Sequence, residues 1–229
     1  MNRFVKTAIA TSVLATSTMA LAEFSANVAM TTNYVWRGVS QSDLDPAIQG
    51  GFDYSHSSGL YAGTWGSNVD FDEAVADPAD MEWDLYAGYS TEVNGVGIDV
   101  GVIQYAYPGS TADLDWVEFY GSASYKFLTL SFAHSSDAFN SNQDGTYVNL
   151  GASFEVSGFT LGASVGSYDI DTKNDYVDYK LSVSKEIGGF GFELGYTDTD
   201  LSRSECNTDY ATTDDWCGSS LILTVSKEL

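Results

Sequence analysis

Two histidines each stand two residues ahead of a serine, in His56-Ser57-Ser58 and His134-Ser135-Ser136. A histidine that close to a hydroxyl can serve as base for a nucleophilic serine, provided a third polar group orients the ring. Aspartates recur as Asp-x-Asp at Asp43/Asp45, Asp70/Asp72, Asp113/Asp115, Asp169/Asp171 and Asp198/Asp200. Alternate carboxylates suit weak Ca²⁺ or Mg²⁺ binding, but no EF-hand spacing accompanies them, and a solvated acidic surface is the better account. Cys206 and Cys217 are the two cysteines of the chain. Two thiols without a nearby histidine make a poor zinc site and a natural disulfide. One arginine, Arg37, follows two aromatics in Asn33-Tyr34-Val35-Trp36-Arg37-Gly38, in a chain with 9 Lys+Arg against 32 Asp+Glu.

What these residues can do depends on where the chain resides. Arg3 and Lys6 form a basic start, Ala8 to Ala15 a short, mostly apolar run, and Ala20-Leu21-Ala22 a small-x-small cleavage pattern. That is a Sec-type secretory signal peptide over 1–22, leaving a domain at 23–229. A membrane anchor helix would need about 20 apolar residues. Without Arg3 and Lys6 the chain keeps 7 cations against 32 acids, 7 minus 32 or a net charge of −25. Nucleic acid is excluded as a partner, because binding it rests on a basic surface. Export also favours a Cys206–Cys217 bond, which by loop entropy contributes about 3 kcal/mol.

From Phe24 onward the chain runs in segments of alternating polarity with no helical period. They predict strands near 24–36, 47–56, 59–68, 81–92, 96–105, 116–126, 127–135, 146–156, 158–167, 176–187, 189–197 and 219–228. Five connections are minimal: Ser57-Ser58, Asn94-Gly95, Lys126-Phe127, Ser157-Gly158 and Gly188-Gly189. The six between them are longer and polar, over 37–46, 69–80, 106–115, 136–145, 168–175 and 198–218, and hold 20 of the 32 acids. Short turns alternating with long loops describe a transmembrane antiparallel up-and-down β-barrel of twelve strands, both termini periplasmic.

The faces agree. Leu128, Leu130 and Phe132 share one side of their strand, as do Phe190, Phe192, Leu194 and Tyr196. The opposite faces collect Asp53, Glu82, Asp84, Glu92, Asp99, Glu118, Glu155, Asp178, Glu186 and Glu193. Lys185 and Lys227 are the charges on the apolar side, both near short turns, where a long side chain can snorkel. Tyr34 and Trp36 share a face with Val28 and Met30, which predicts an interfacial aromatic girdle there. Arg37 then points inward, where one guanidinium can hold a carboxylate bidentately and pin the first loop over the opening. The expected pore lining is Arg37, Asp53, Glu82, Asp84, Asp99, Glu118, Lys126, Glu155, Asp178, Lys180 and Glu193.

Three runs carry a family resemblance: 33–43 (NYVWRGVSQSD), Pro46-Ala47-Ile48-Gln49-Gly50-Gly51-Phe52-Asp53-Tyr54, and 59–70 (GLYAGTWGSNVD). They resemble the amino-terminal signature of the TorF family of porin-like proteins. The resemblance implies an outer-membrane barrel passing small hydrophilic solutes, and it names no substrate. Barrels of this kind commonly end in an aromatic that the barrel assembly machinery reads, whereas this chain ends Val225-Ser226-Lys227-Glu228-Leu229. The expectation is therefore a cofactor-free diffusion channel of the cell outer membrane that favours cations. A lipid hydrolase using His134 and Ser136 is the rival. The strand beside it offers Val148, Leu150, Ala152 and Phe154 on the lipid face, and no third polar group. A barrel with a plugged lumen, structural or ligand-binding, is the other.

Overall fold

The computed structural model describes residues 23–71, 79–110, 114–210 and 215–229. Residues 1–22, expected to be a signal peptide, and the aspartates Asp72 and Asp113 lie outside the described residues. Twelve strands close into one antiparallel barrel. In chain order they are β1 (Glu23–Thr31), β4 (Ala47–Ser55), β5 (Leu60–Asn68), β6 (Met81–Val93), β7 (Val96–Ala106), β8 (Trp116–Tyr125), β9 (Leu128–Ser135), β10 (Gly145–Val156), β11 (Phe159–Ile170), β12 (Tyr176–Ile187), β13 (Phe190–Thr199) and β14 (Ser220–Glu228). Each pairs with its neighbour along the chain, and β1 closes the wall against β14, from Asn27 opposite Glu228 to Thr31 opposite Thr224. Leu229 extends that seam by donating its N–H to the Ala26 carbonyl at 2.9 Å.

The short turns have the chemistry that a twisted hairpin demands. Asn94-Gly95, Ser157-Gly158 and Gly188-Gly189 all take positive φ at both positions. Those are the mirror-image turns whose twist matches the flanking strands. All five short turns lie at one end of the wall and the long loops at the other, here termed the turn end and the loop end.

Geometry settles which face is outside. Leu130, Leu150, Phe132, Phe192 and Leu223 are exposed on the outer wall, while the carboxylates point into the barrel. A soluble monomer rarely exposes so continuous an apolar band, and a bilayer requires one. Lys185 and Lys227 both reach the turn end on this face. Lys227 Nζ donates to the Gly189 carbonyl at 2.9 Å and Lys185 lies 4.4 Å from the Phe159 ring centroid.

Inside, tyrosines lie across glycines of the next strand. Tyr86 sits opposite Gly63, Tyr61 opposite Gly88, and Tyr120 opposite Gly101. A Cβ at any of these glycines would fall inside the facing ring. The absent side chain lets the ring lie flat on the sheet, so these glycines trade local stiffness for cross-strand aromatic cover.

The first strand departs from expectation. It leaves the wall at Thr31 instead of running to 36, and Val35–Trp36 (β2) pairs with Val39–Ser40 (β3) in a separate hairpin. The last long loop carries the one α-helix among the described residues, α1 (Arg203–Tyr210).

A charge on the outer wall tests the bilayer placement. Leu150→Arg, at mid-strand, should destabilise the barrel by about 2–4 kcal/mol, since that is the penalty for a cation near the bilayer midplane. Ser153→Arg, facing inward at the turn end, should change little. Denaturant titration of the barrel in lipid vesicles reads both.

Candidate functional site

The β2–β3 hairpin folds into the loop end of the lumen, and its tip carries Arg37 and Gly38, with φ of 47° and 82°. Positive φ at both tip residues makes the same mirror-image turn as at the turn end. A Cβ on Gly38 would come within 2.8 Å of Asp178 Cβ and 2.5 Å of Thr199 Cγ2. Glycine is therefore required by backbone angle and by space. The hairpin base is fixed by Asn33, whose Oδ1 accepts from Ser40 Oγ at 2.7 Å, and by Gln41 N–H donating to the Tyr34 carbonyl at 2.7 Å.

Arg37 is the centre of the arrangement. Its Nη2 donates to both oxygens of Glu118, at 2.7 and 2.9 Å. Its guanidinium carbon lies 4.1, 4.3 and 4.6 Å from the ring centroids of Trp36, Tyr147 and Tyr168. Both partners of the pair are buried. Burial by itself would lower the Arg37 pKa, but Glu118 beside it more than reverses this and holds it above the ordinary value. The charge is thus permanent. Tyr176 Oη donates to the Arg37 carbonyl at 3.0 Å and closes the turn from above.

Trp36 and Tyr34 are not a lipid-facing girdle. Trp36 packs edge-on among Tyr105, Trp116, Phe139 and Tyr168, with centroids 5.9 to 6.1 Å away. Tyr34 is buried with its hydroxyl donating to Glu82 at 3.1 Å. Burial, helped by Glu82, raises the Tyr34 pKa, so the phenol stays a neutral donor. The alternation with Val28 and Met30 misleads because the chain has already left the wall at Thr31.

The inserted hairpin, here termed the plug, packs against nearly the whole circumference of the wall at its level. Each barrel strand except β14 contributes a buried inward residue there: Thr31, Ala47, Ser67, Glu82, Tyr105, Glu118, Ser135, Gly145, Tyr168, Asp178 and Thr197. Three buried clusters result, and Trp36 packs against all three.

The expected lining residues divide accordingly. Arg37, Glu82, Asp84, Glu118 and Asp178 belong to the packed loop end. Tyr147 Oη donates to Asp178 at 2.8 Å. Nearer the turn end, Asp53 accepts from Tyr86 at 2.5 Å, Asp99 accepts from Tyr61 at 2.8 Å, and Lys180 pairs with Glu193 at 2.8 Å. Glu155 is exposed one residue before the end of β10. Lys126 does not line the interior. It occupies the β8–β9 turn at φ 57°, with Nζ 5.0 Å from the ring of outward-facing Tyr125. The inward tyrosines were the functional side chains that sequence reasoning missed; their signal is a glycine at the paired position, visible once the register is known.

The disulfide expected between Cys206 and Cys217 is present and buried. It holds 215–218 against the plug, where Ser40 N–H donates to the Trp216 carbonyl at 2.9 Å and Trp216 Nε1 to Asp43 at 2.7 Å. The histidines are not brought to any triad. His134 Nδ1 meets Thr146 Oγ1 at 3.0 Å rather than Ser136, and exposed His56 meets Ser58 Oγ at 2.8 Å at the turn end. Among the described residues no group of three or more His, Cys, Asp or Glu side chains could hold a metal ion.

A closed, twelve-stranded, outward-apolar barrel defines a transmembrane β-barrel protein, and solved structures share that fold. The chain resembles the KdgM porin, solved in complex with disordered oligogalacturonate, with 6% identity and a TM-score of 0.53 over 90% of this chain and 98% of that one. It resembles a protein solved in work on in-meso crystallization of membrane proteins, with 8% identity and a TM-score of 0.50 over 90% and 83%. OccD3 of Pseudomonas aeruginosa matches with 14% identity and a TM-score of 0.45 over 93% of this chain, which spans 66% of OccD3. No curated protein sequence matches. Residues 15–229 match the profile of Gcw_chp, described as a bacterial protein of unknown function, and the chain belongs to that family. The match does not confirm the TorF naming suggested by residues 33–70.

Arg37 gives the plug a direct reporter, since a buried arginine escapes trypsin. Glu118→Ala leaves the guanidinium unpaired, and breaking a buried pair costs about 3–5 kcal/mol. Both Glu118→Ala and Gly38→Ala should expose Arg37 to trypsin, seen by mass spectrometry as cleavage after residue 37, while the wild-type barrel resists.

Proposed function

We propose that the protein is a porin-like passage of the bacterial outer membrane for small hydrophilic solutes, restricted at its loop end by the 32–46 hairpin. The observation that carries this reading is the division of the lumen. The turn-end half is lined by small and polar residues such as Ser131, Gly151, Ser164 and Ser182 on the β9–β12 side, with Tyr61, Tyr86 and Tyr120 on the β5–β8 side, while one inserted hairpin packs into the loop-end half. Twelve strands lie between barrels filled by their own side chains and open sixteen-stranded porins. In such a barrel a single hairpin is enough to govern the cross-section. The turn end then faces the periplasm, and lipid and solute are the partners.

The plug makes conductance the deciding measurement. In planar bilayers the wild-type barrel should conduct weakly or in brief events, and Glu118→Ala should open it several-fold more. A variant whose Arg37 has become accessible to trypsin but which still conducts no ions would sink the channel reading. It would leave the structural or ligand-binding barrel in its place.

The finer part of the proposal is a preference for cations. Glu82, Asp84, Glu118 and Asp178 are sealed in the plug, so the preference rests on Asp53, Asp99 and Glu155 near the turn end. Carboxylate rings favour cation passage, and at 0.15 M salt screening over about 8 Å confines the effect to the constriction. Reversal potentials across a KCl gradient should be K⁺-selective in the opened variant and fall when Asp99→Asn and Glu155→Gln are added. Anion selectivity would show the assignment to be wrong.

A further inference from the structure

A cavity of about 180 Å³ lies on the loop side of the plug. Its floor is the hairpin itself, through Trp36, Val39, Ser40 and Gln41, and each of the five other long loops adds at least one side chain. The walls are mostly aromatic. Phe71 stands 5.7 Å from Tyr107 and 6.4 Å from Trp216, ring centroid to ring centroid. An apolar cavity of roughly 150 Å³ is enough to take up one benzene-sized ring.

Among the described residues that line it, Lys173 is the one cation. Its Nζ lies 4.5 Å from the Tyr210 centroid and 5.5 Å from that of Phe139, and donates to the Asp209 carbonyl oxygen. The Asp209 carboxylate is turned away, accepting from the backbone and side-chain nitrogens of Asn174, both at 3.0 Å. No salt bridge to Lys173 is formed among the described residues. The ammonium is partly buried, and burial lowers its pKa. Asp209 raises that pKa in turn through its charge, yet among the described residues the direct partners of the ammonium are rings and one carbonyl, which leaves a half-made ion pair. The missing half is an anion small enough to enter with a ring behind it.

We propose that this chamber binds a monocarboxylate carried on a single flat ring, with Lys173 pairing the carboxylate and the Trp36, Phe71 and Tyr107 side of the chamber holding the ring. A cationic ligand is disfavoured by Lys173, and a carboxylate without a ring leaves the aromatic walls unused. Because Trp36 is both floor of the chamber and hub of the plug, an occupant touches the hairpin directly. The binding holds whether or not solute crosses the barrel, so it stands or falls separately from the channel.

The test is isothermal titration calorimetry on the intact barrel in detergent, with benzoate, benzamide and acetate as probes. A charged hydrogen bond in a desolvated site predicts that benzoate binds at least about tenfold tighter than either of the others. Lys173→Met should bring benzoate down to the level of benzamide and leave benzamide unchanged. If Lys173→Met also loses protection of Arg37 from trypsin, Lys173→Arg decides. Benzoate binding retained with the arginine supports the site, and loss equal to that in Lys173→Met overturns it. Benzoate no tighter than benzamide, or undiminished by Lys173→Met, overturns it as well.

Discussion

A guanidinium cannot be left bare in a dry interior, and that constraint organises the loop end of this barrel. Arg37 enters the lumen on a two-residue turn and must find a carboxylate and ring faces within a few ångströms. Glu118 from β8, Tyr147 from β10 and Tyr168 from β11 provide them. Those three strands stand side by side, apart from β9 between the first two. The hairpin is thereby drawn toward one wall. A lysine at this position could keep the charge, but not the flat stacking or the two-oxygen grip.

The same constraint explains why acids are tolerated inside. A buried carboxylate needs a donor, and the tyrosines supply them one by one: Tyr34 to Glu82, Tyr61 to Asp99, Tyr86 to Asp53, Tyr147 to Asp178. On the wall, the phenols of Tyr61, Tyr86 and Tyr147 reach past the neighbouring strand because a glycine lies beneath each ring. Aromatic body and polar tip are both used, which is where tyrosine surpasses phenylalanine as an interior residue. The lumen is therefore neither a hydrophobic core nor an open water channel. It is a hydrogen-bonded interior, packed around the hairpin at the loop end and lined partly by smaller polar residues toward the turn end.

Most of the wall could be read from the residues alone. A period of two, broken by Asn94-Gly95, Ser157-Gly158 and Gly188-Gly189, places the strands after the first, and their turns, within three residues, because side-chain direction and turn φ are local properties. The wet–dry polarity of each strand followed as well, down to Lys185 and Lys227 at the turn end. The plug did not. Tyr34 and Trp36 keep the period of β1, and a period cannot tell a strand that continues in the wall from a hairpin that has turned inward. Only Arg37-Gly38, a turn dipeptide with a charge that must be paired, hinted at it. Arg37 was expected inside, and is, but because the whole hairpin is inside rather than because its neighbours face lipid. Lys126 fails for a related reason: at a turn the alternation of faces no longer applies. The tyrosine–glycine couples depend on register between strands far apart in sequence, which a single chain does not display.

The plug's place in the chain bears on the order in which the molecule can be completed. Its hairpin comes directly after the first strand, yet its partners arrive far later: 81 residues on for Glu118, 139 for Tyr176 and 173 for Trp216. Contacts so distant in sequence form slowly, since long loops must close before they are rewarded. The hairpin therefore has to wait, solvated and unpartnered, while the wall is built around the space it will occupy. Closure of β1 against β14 and drying of the interior become one late event. An assembling barrel would pass through a wide, water-filled form whose lumen is emptier than that of the finished protein.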